Sequence, residues 1–181
     1  MNLNPFAISV DQPSLDELML RLRQTRWPDE PHDAGWSMGT NLSFMRELVT
    51  YWLDRYDWRA QERALNQLAQ FKAEVDGEEI HLFHAPSPDR GATPLLLLHG
   101  WPDSNFRFAK VIPKLAESVG GQAFHVVAPS LPGFGFSTHR AMDNAQLTSL
   151  LVNLMKGLGY ERFFVAGGDI GSIVAMTIAD L

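Results

Sequence analysis

Three short, largely apolar runs, at residues 95–98, 124–128 and 163–166, restrict the fold of this chain more than any other feature. Each is too short for a buried helix and is bounded by glycine, proline or polar residues, so each reads as a strand covered on both faces. Between the second and third runs, Leu147, Leu150, Leu151, Leu154 and Leu158 recur at helical spacing, with Gly157 and Gly159 as candidate stops. Strands alternating with helices predict an α/β chain with a mostly parallel sheet. Ahead of them, FKAEV-DG-EEIHLF reads as two strands around the turn pair Asp76-Gly77.

The first 70 residues follow a different period. Ser14 to Glu17 resembles a capping box opening a helix with Leu15, Leu18, Met19 and Leu22 on one face, which stops near Trp27-Pro28. A meander rich in proline and glycine follows. Thr40 or Asn41 can cap a second helix carrying Met45, Leu48, Val49 and Trp52, and Asp57 a third with Trp58, Leu65 and Leu68 inward. These stripes read as core. The division expected is a helical and meander region at 1–70 and an α/β core at 71–181.

Composition narrows the function classes. A formal net charge of -6 and the lack of a basic run speak against a nucleic-acid surface. With no cysteine, disulfides and thiolate metal sites are excluded, and no residue pattern asks for a metal or cofactor. The N-terminus has no basic-then-apolar leader and no segment approaches a membrane span, so a soluble, cytoplasmic protein without a membrane partner is expected.

The chemistry concentrates after the third run. Gly167-Gly168-Asp169-Ile170-Gly171 joins strand 163–166 to a helical stretch from Ile170, in the form of the nucleophile elbow G-x-S-x-G with aspartate in the serine position. Gly167 and Gly171 permit close strand–helix approach. Asp169 reads either as a plain helix N-cap or as a nucleophile presented beside a helix N-terminus. His99-Gly100-Trp101-Pro102 ends the first run, where such a fold places an oxyanion loop. Backbone N–H groups of Trp101 and Ile170 would then converge on one oxygen of an Asp169 ester, which a nucleophile requires and a cap does not. His99 reads as a turn histidine holding this loop together with Gly100, rather than as a base.

The segments PFAISV, LRLRQTRWPDE, GTNLSFMRELVTYWLDRYDWRAQERALNQLAQF, LLLLHGWPDS, FHVVAPSLPGFGFS and GLGYERFFVAGGDIGS resemble, in order, the N-terminal half of microsomal-type epoxide hydrolases. That family is an α/β-hydrolase with an added N-terminal helical region. The resemblance implies that Asp169 attacks an epoxide carbon to form an alkyl-enzyme ester, that Trp101 and Ile170 supply oxyanion donors, and that the Trp101-Pro102 peptide is cis. It also implies a small apolar epoxide and water as reactants, no cofactor, and a pocket including Trp101, Pro102, Phe134, Phe136 and Ile170. Two positions depart from the family: Ile170 replaces tryptophan, and Asp103 stands where glycine is usual.

The family's lid tyrosines, acid and base histidine would follow the elbow. Here all six histidines precede Asp169, and Asp180, eleven positions on (169 to 180), lies about 16 Å along a straight helix. The run 163–166 would form an apolar sheet edge, an aggregation template unless covered. The chain thus reads as the first part of an α/β-hydrolase, truncated after the elbow and needing a C-terminal half or another chain. The alternatives are a haloalkane dehalogenase-like hydrolase, which also uses an elbow aspartate, and a non-catalytic remnant. Against the first, Trp101 and Ile170 occupy positions where dehalogenases carry asparagine and tryptophan.

Overall fold

In the computed structural model, which describes residues 1–117 and 121–180, the strands are β1 (Leu3–Pro5), β2 (Gln70–Val75), β3 (Glu78–Ala85), β4 (Thr93–Leu98), β5 (Phe124–Pro129) and β6 (Phe164–Gly167). The helices are α1 (Gln12–Arg23), α2 (Leu42–Asp54), α3 (Trp58–Leu65), α4 (Ile112–Ala116), α5 (Asn144–Gly157) and α6 (Ile170–Ala179), with a short 3-10 helix at Asn105–Phe108. One sheet forms in the order β1-β2-β3-β5-β4-β6. The parallel arrangement expected from the apolar runs holds for β5, β4 and β6, while β3, β2 and β1 join antiparallel. The β2–β3 turn has left-handed backbone at Asp76 (φ 52) and Gly77 (φ 81), as a two-residue type I′ hairpin loop demands.

The first two runs follow from two covered faces, whereas the third, expected to be covered likewise, is not: β6 has no buried residue. Leu96, Leu98 and Val127 enter a cluster with Leu151, Leu154 and Met155 of α5 and Val174 of α6. Leu95, Leu97, Val126 and Ala128 turn to the opposite face, against Phe83 and Ile112. Alternate side chains of a strand point to opposite faces, so a strand buried on both must be apolar throughout. Asp143 and Gln146 form a capping box at the start of α5. Its stop is Gly159 (φ 89), with Tyr160 N–H donating to Met155 O and Gly159 N–H to Lys156 O, both at 2.9 Å, whereas Gly157 is still helical.

The chain divides into a sheet unit, Met1–Ala7 with Ala64–Leu181, and a helical unit, Ile8–Arg63. Where the sequence set a single boundary near residue 70, β1 sits with the sheet because Leu3, Asn4 and Pro5 pair with Ala73, Lys72 and Phe71. In the helical unit, α1 begins before the capping box expected at Ser14. Asp11 takes the N-cap position and Pro13 the first turn, which proline favours because its missing N–H is an orphan there anyway. Asn41 Oδ1 accepts from Phe44 N–H (3.0 Å) and Asp57 Oδ1 from Ala60 N–H (3.0 Å), so both caps form. The stripes of α1 and α2 differ from the core expected, since neither helix has a buried residue. Polar ties hold this unit. Glu62 accepts from Val10 N–H (2.8 Å), Trp58 Nε1 (3.2 Å) and Arg59 Nη1 (2.8 Å), and the Val10 N–H first, then Arg59, keep its carboxyl below the usual range.

Candidate active site

Backbone crowding shapes the turn between β6 and α6. A Cβ on Gly167 would lie 2.3 Å from Gly171 O, and one on Gly171 would lie 2.5 Å from Leu98 O and 2.6 Å from His99 O. Both positions must be glycine for α6 to start this close to β6 and β4. Gly168 is freer, its nearest neighbour being Arg107 Nη1 at 3.5 Å. Between them Asp169 has φ 57 and ψ -127, a left-handed conformation that L residues rarely adopt.

Asp169 occupies the N-cap position of α6, but its side chain makes no capping hydrogen bond. Its carboxylate points across to the neighbouring loop, where Trp101 N–H donates to Oδ1 at 2.9 Å. The Trp101 N–H, then the Ile170 N–H, hold the carboxyl below its ordinary range against a smaller opposing effect of burial. Asp169 is therefore an ionised, exposed carboxylate with backbone donors beside it.

The loop that supplies Trp101 N–H is fixed on several sides. The Trp101-Pro102 peptide is cis. Gly100 lies so near the elbow that a Cβ there would be 2.5 Å from both Cβ and Oδ1 of Asp169. Gly100 O accepts from Asp103 N–H (3.2 Å) and lies 3.0 Å from His99 Nδ1, while Leu131 N–H donates to His99 Nε2 at 3.0 Å. His99 is fully buried, and burial lowers its pKa. The charge that Asp103 brings here is paired: Oδ2 meets Arg107 Nη1 at 2.7 Å and Oδ1 accepts from Ser104 N–H at 2.7 Å. Arg107 was invisible as a site residue, although its i,i+4 spacing from Asp103 was the available signal. Leu131, acting through its backbone, left no signal.

The structure brings Gly100, Trp101, Asp169 and Ile170 together and spreads the other pocket residues. Trp101 is 69% exposed, Pro102 is exposed, and Ile170 is half-buried against the core cluster of α5 and α6. Phe134 and His99 pack with their rings nearly perpendicular, centroids 5.0 Å apart. Phe136 belongs to an aromatic cluster with Phe6 (5.2 Å) and His81 (5.5 Å).

No histidine hydrogen-bonds Asp169 among the described residues. His81 is buried between Ser130 Oγ and Gln70 Oε1, both at 3.0 Å. His84 Nε2 meets Tyr160 Oη at 3.0 Å, and His125 stacks on the same Tyr160 ring, its Nδ1 accepting from Ser87 N–H. His139 is exposed, and His32 pairs with Asp33 in the helical unit. The described residues also contain no cluster able to hold a metal and no helix long and apolar enough to cross a membrane.

An elbow aspartate beyond the end of a parallel strand, facing a backbone donor from the loop after the next strand, places the chain among the α/β-hydrolases. The family model for the α/β-hydrolase fold matches residues 93–181, and that for the epoxide hydrolase N terminus matches residues 3–108. The chain belongs to the epoxide hydrolase family marked by that N-terminal region, here followed by an α/β-hydrolase core, and it matches the N-terminal half of its relatives. A Stigmatella aurantiaca protein named for epoxide hydrolysis is 42% identical over 187 residues, covering 99% of this chain and 42% of that protein. Epoxide hydrolase 1 of Sus scrofa is 30% identical over 192 residues, with 99% and 42% covered. The structure of Aspergillus niger epoxide hydrolase superposes with a TM-score of 0.89 at 31% identity, over 98% of this chain and 49% of that one. The chain thus spans about half or less of the length of these relatives.

Proposed function

We propose that this chain carries the nucleophile and oxyanion half of an epoxide hydrolase site, acting on small apolar epoxides. The observation that carries this reading is the 2.9 Å hydrogen bond from Trp101 N–H to a carboxylate that caps no helix. With Oδ1 so engaged, Oδ2 is the oxygen free to attack. It forms a bond to one epoxide carbon as that carbon's ring C–O bond breaks, and the ring oxygen leaves as an alkoxide that takes up a proton. Oδ1 becomes the ester carbonyl oxygen, already beside the Trp101 donor, with Ile170 N–H as the second. Water attacking the ester puts negative charge on that oxygen, where preorganised donors stabilise it most. No cofactor enters this chemistry.

Hydrolysis of the ester needs a base to activate water. His81 and His99 have both ring nitrogens engaged, and none of the histidines hydrogen-bonds Asp169. The base, the acid supporting it and the tyrosines that assist ring opening are therefore proposed to come from a complementary C-terminal half or another chain. The 181-residue chain alone should be alkylated once and should not turn over.

Intact-mass analysis after exposure to styrene oxide tests both parts. The expected result is one covalent adduct at Asp169, absent in Asp169→Ala, without continuing diol formation. An adduct on another carboxylate overturns the assignment, and multiple turnovers would reveal a base within these residues. Halide release from a chloroalkane, with no epoxide adduct, would favour the dehalogenase reading.

A further inference from the structure

We propose that His99 is a positioning residue for the Asp169 carboxylate, acting through the Gly100–Trp101 peptide plane. Leu131 N–H can only donate, so His99 Nε2, 3.0 Å away, must be the unprotonated ring nitrogen. A neutral imidazole then carries its proton on Nδ1, and Nδ1–H donates to Gly100 O at 3.0 Å. Asp103 N–H, at 3.2 Å, donates to the same oxygen. This carbonyl and the Trp101 N–H are the two ends of one planar amide, so fixing the oxygen fixes the direction of the N–H. That N–H is the one 2.9 Å from Asp169 Oδ1. Donation into the carbonyl also polarises the amide, strengthening its N–H as a donor.

The surroundings keep this relay in one state. His99 is fully buried, its ring centroid 5.0 Å from that of Phe134. The charges that reach it, Asp103 and Arg107, act in opposite directions and are paired with each other. Burial, the largest influence, keeps the ring neutral, and protonating Nε2 would orphan the buried Leu131 N–H. Leu131 begins the loop that carries Phe134, so a shift of that loop is transmitted through His99 to the nucleophile.

The two halves of the imidazole can be replaced separately. In His99→Asn the amide Nδ2 overlays Nδ1 and keeps the donor to Gly100 O. In His99→Gln the amide oxygen overlays Nε2 and keeps only the acceptor for Leu131 N–H. In the full chain labelled with ¹³Cγ-aspartate, the Asp169 resonance, assigned by its loss in Asp169→Asn, is titrated in each variant. The expected result is an upward shift of the Asp169 midpoint in His99→Gln and a midpoint held near wild type in His99→Asn. Equal shifts in both, no shift in either, or a larger shift in His99→Asn would overturn the proposal. If either variant fails to fold, ¹⁵N spectra of the wild-type imidazole decide: protonated Nδ1 supports the relay and protonated Nε2 ends it. The value of the relay for catalysis rests on Asp169 being the nucleophile, but the titration does not. A carboxylate inert to epoxides would sink that reading and leave this one standing.

Discussion

The turn at Gly167–Gly171 and the strand that leads into it differ sharply in how far their packing is finished. At the turn, Gly167 and Gly171 sit against backbone atoms with no room for a methyl group, and the Asp169 carboxylate has a backbone donor from the next loop. Along β6, pairing among the described residues is satisfied by β4 on one side only, and Phe164 is 64% exposed. On α6, Met176 is 63% exposed. The atoms in direct contact with the turn come from β4, the loop after it, or α6 itself. The edge depends on whatever lies against its other side. The backbone contacts of a turn can therefore be complete while the layer around it stays open.

The largest effect should come from adding one methyl group to the turn. Gly171→Ala places Cβ against Leu98 O and His99 O, which are backbone atoms of β4 and of the loop after it and cannot rotate aside. Overpacking of this kind costs about 3 kcal/mol or more, and Asp169 should lose its contact with Trp101 N–H. Gly168→Ala meets only the flexible end of Arg107 at 3.5 Å and should stay within about 0.5 kcal/mol of wild type. Urea unfolding of the two variants measures the difference. Equal stabilities would remove the basis for calling the turn the finished region.

Acid should weaken the support behind the turn next. Gln70 Nε2 donates to Leu65 O and Asn66 Oδ1, which turns Gln70 Oε1 toward His81 and makes His81 Nε2 a donor. Nδ1 then accepts from Ser130 Oγ, on the residue before Leu131. Burial first, and Lys72 second, lower the His81 pKa from 6.5 to about 4. Above pH 6.5 the ring is neutral in both folded and unfolded chains and contributes no pH dependence. As pH falls below 6.5 the unfolded chain takes up the proton first, so stability declines until the folded ring protonates near pH 4. The full loss is about 3 kcal/mol from the size of the shift. His84 and His99 shift in the same direction, so the wild-type slope is a sum. The difference between wild type and His81→Gln, by urea unfolding at pH 7 and pH 4.5, isolates His81. Parallel slopes in the two proteins would show that His81 is not the acid-sensitive support.

Residues 95–98 and 124–128 were legible as strands because apolar side chains on both faces leave a continuous run. Gly167 to Gly171 was legible as an elbow because only glycine admits such close backbone contact. The choice between cap and presented carboxylate at Asp169 was not legible in the elbow alone; it turned on the His99-Gly100-Trp101-Pro102 loop, whose Trp101 N–H, 68 residues earlier in the chain, donates to that carboxylate. The same holds for the partners of His99, one of which is a backbone N–H whose residue type carries no information. Ser14 misled because its capping pattern competes with Pro13, and the proline, already suited to the first turn, moved the helix start forward. The helical stripes misled in another way: spacing shows which side chains share a face, but not what that face meets.

The smallest effect in folding free energy concerns the open side of β6, and there the readout is association. A strand at a sheet edge presents a row of unpaired N–H and C=O groups, and an exposed apolar side chain beside them favours pairing with another copy. The isolated chain should therefore self-associate at micromolar concentrations, seen as a rise in mean mass by light scattering. Phe164→Lys puts a charge on that edge, a device that natural edge strands use against pairing. Because Phe164 is already mostly exposed, the substitution removes little buried area, and its cost to folding should stay within about 0.5 kcal/mol. The variant should scatter as a smaller species than wild type while retaining the Asp169 adduct, since the donors of the turn lie on β4's loop and α6. A monodisperse wild-type monomer would mean that the edge is protected within these residues, and the contrast between finished turn and open edge would fail. Loss of the adduct in Phe164→Lys would break it from the other side, by showing that the turn depends on the edge after all.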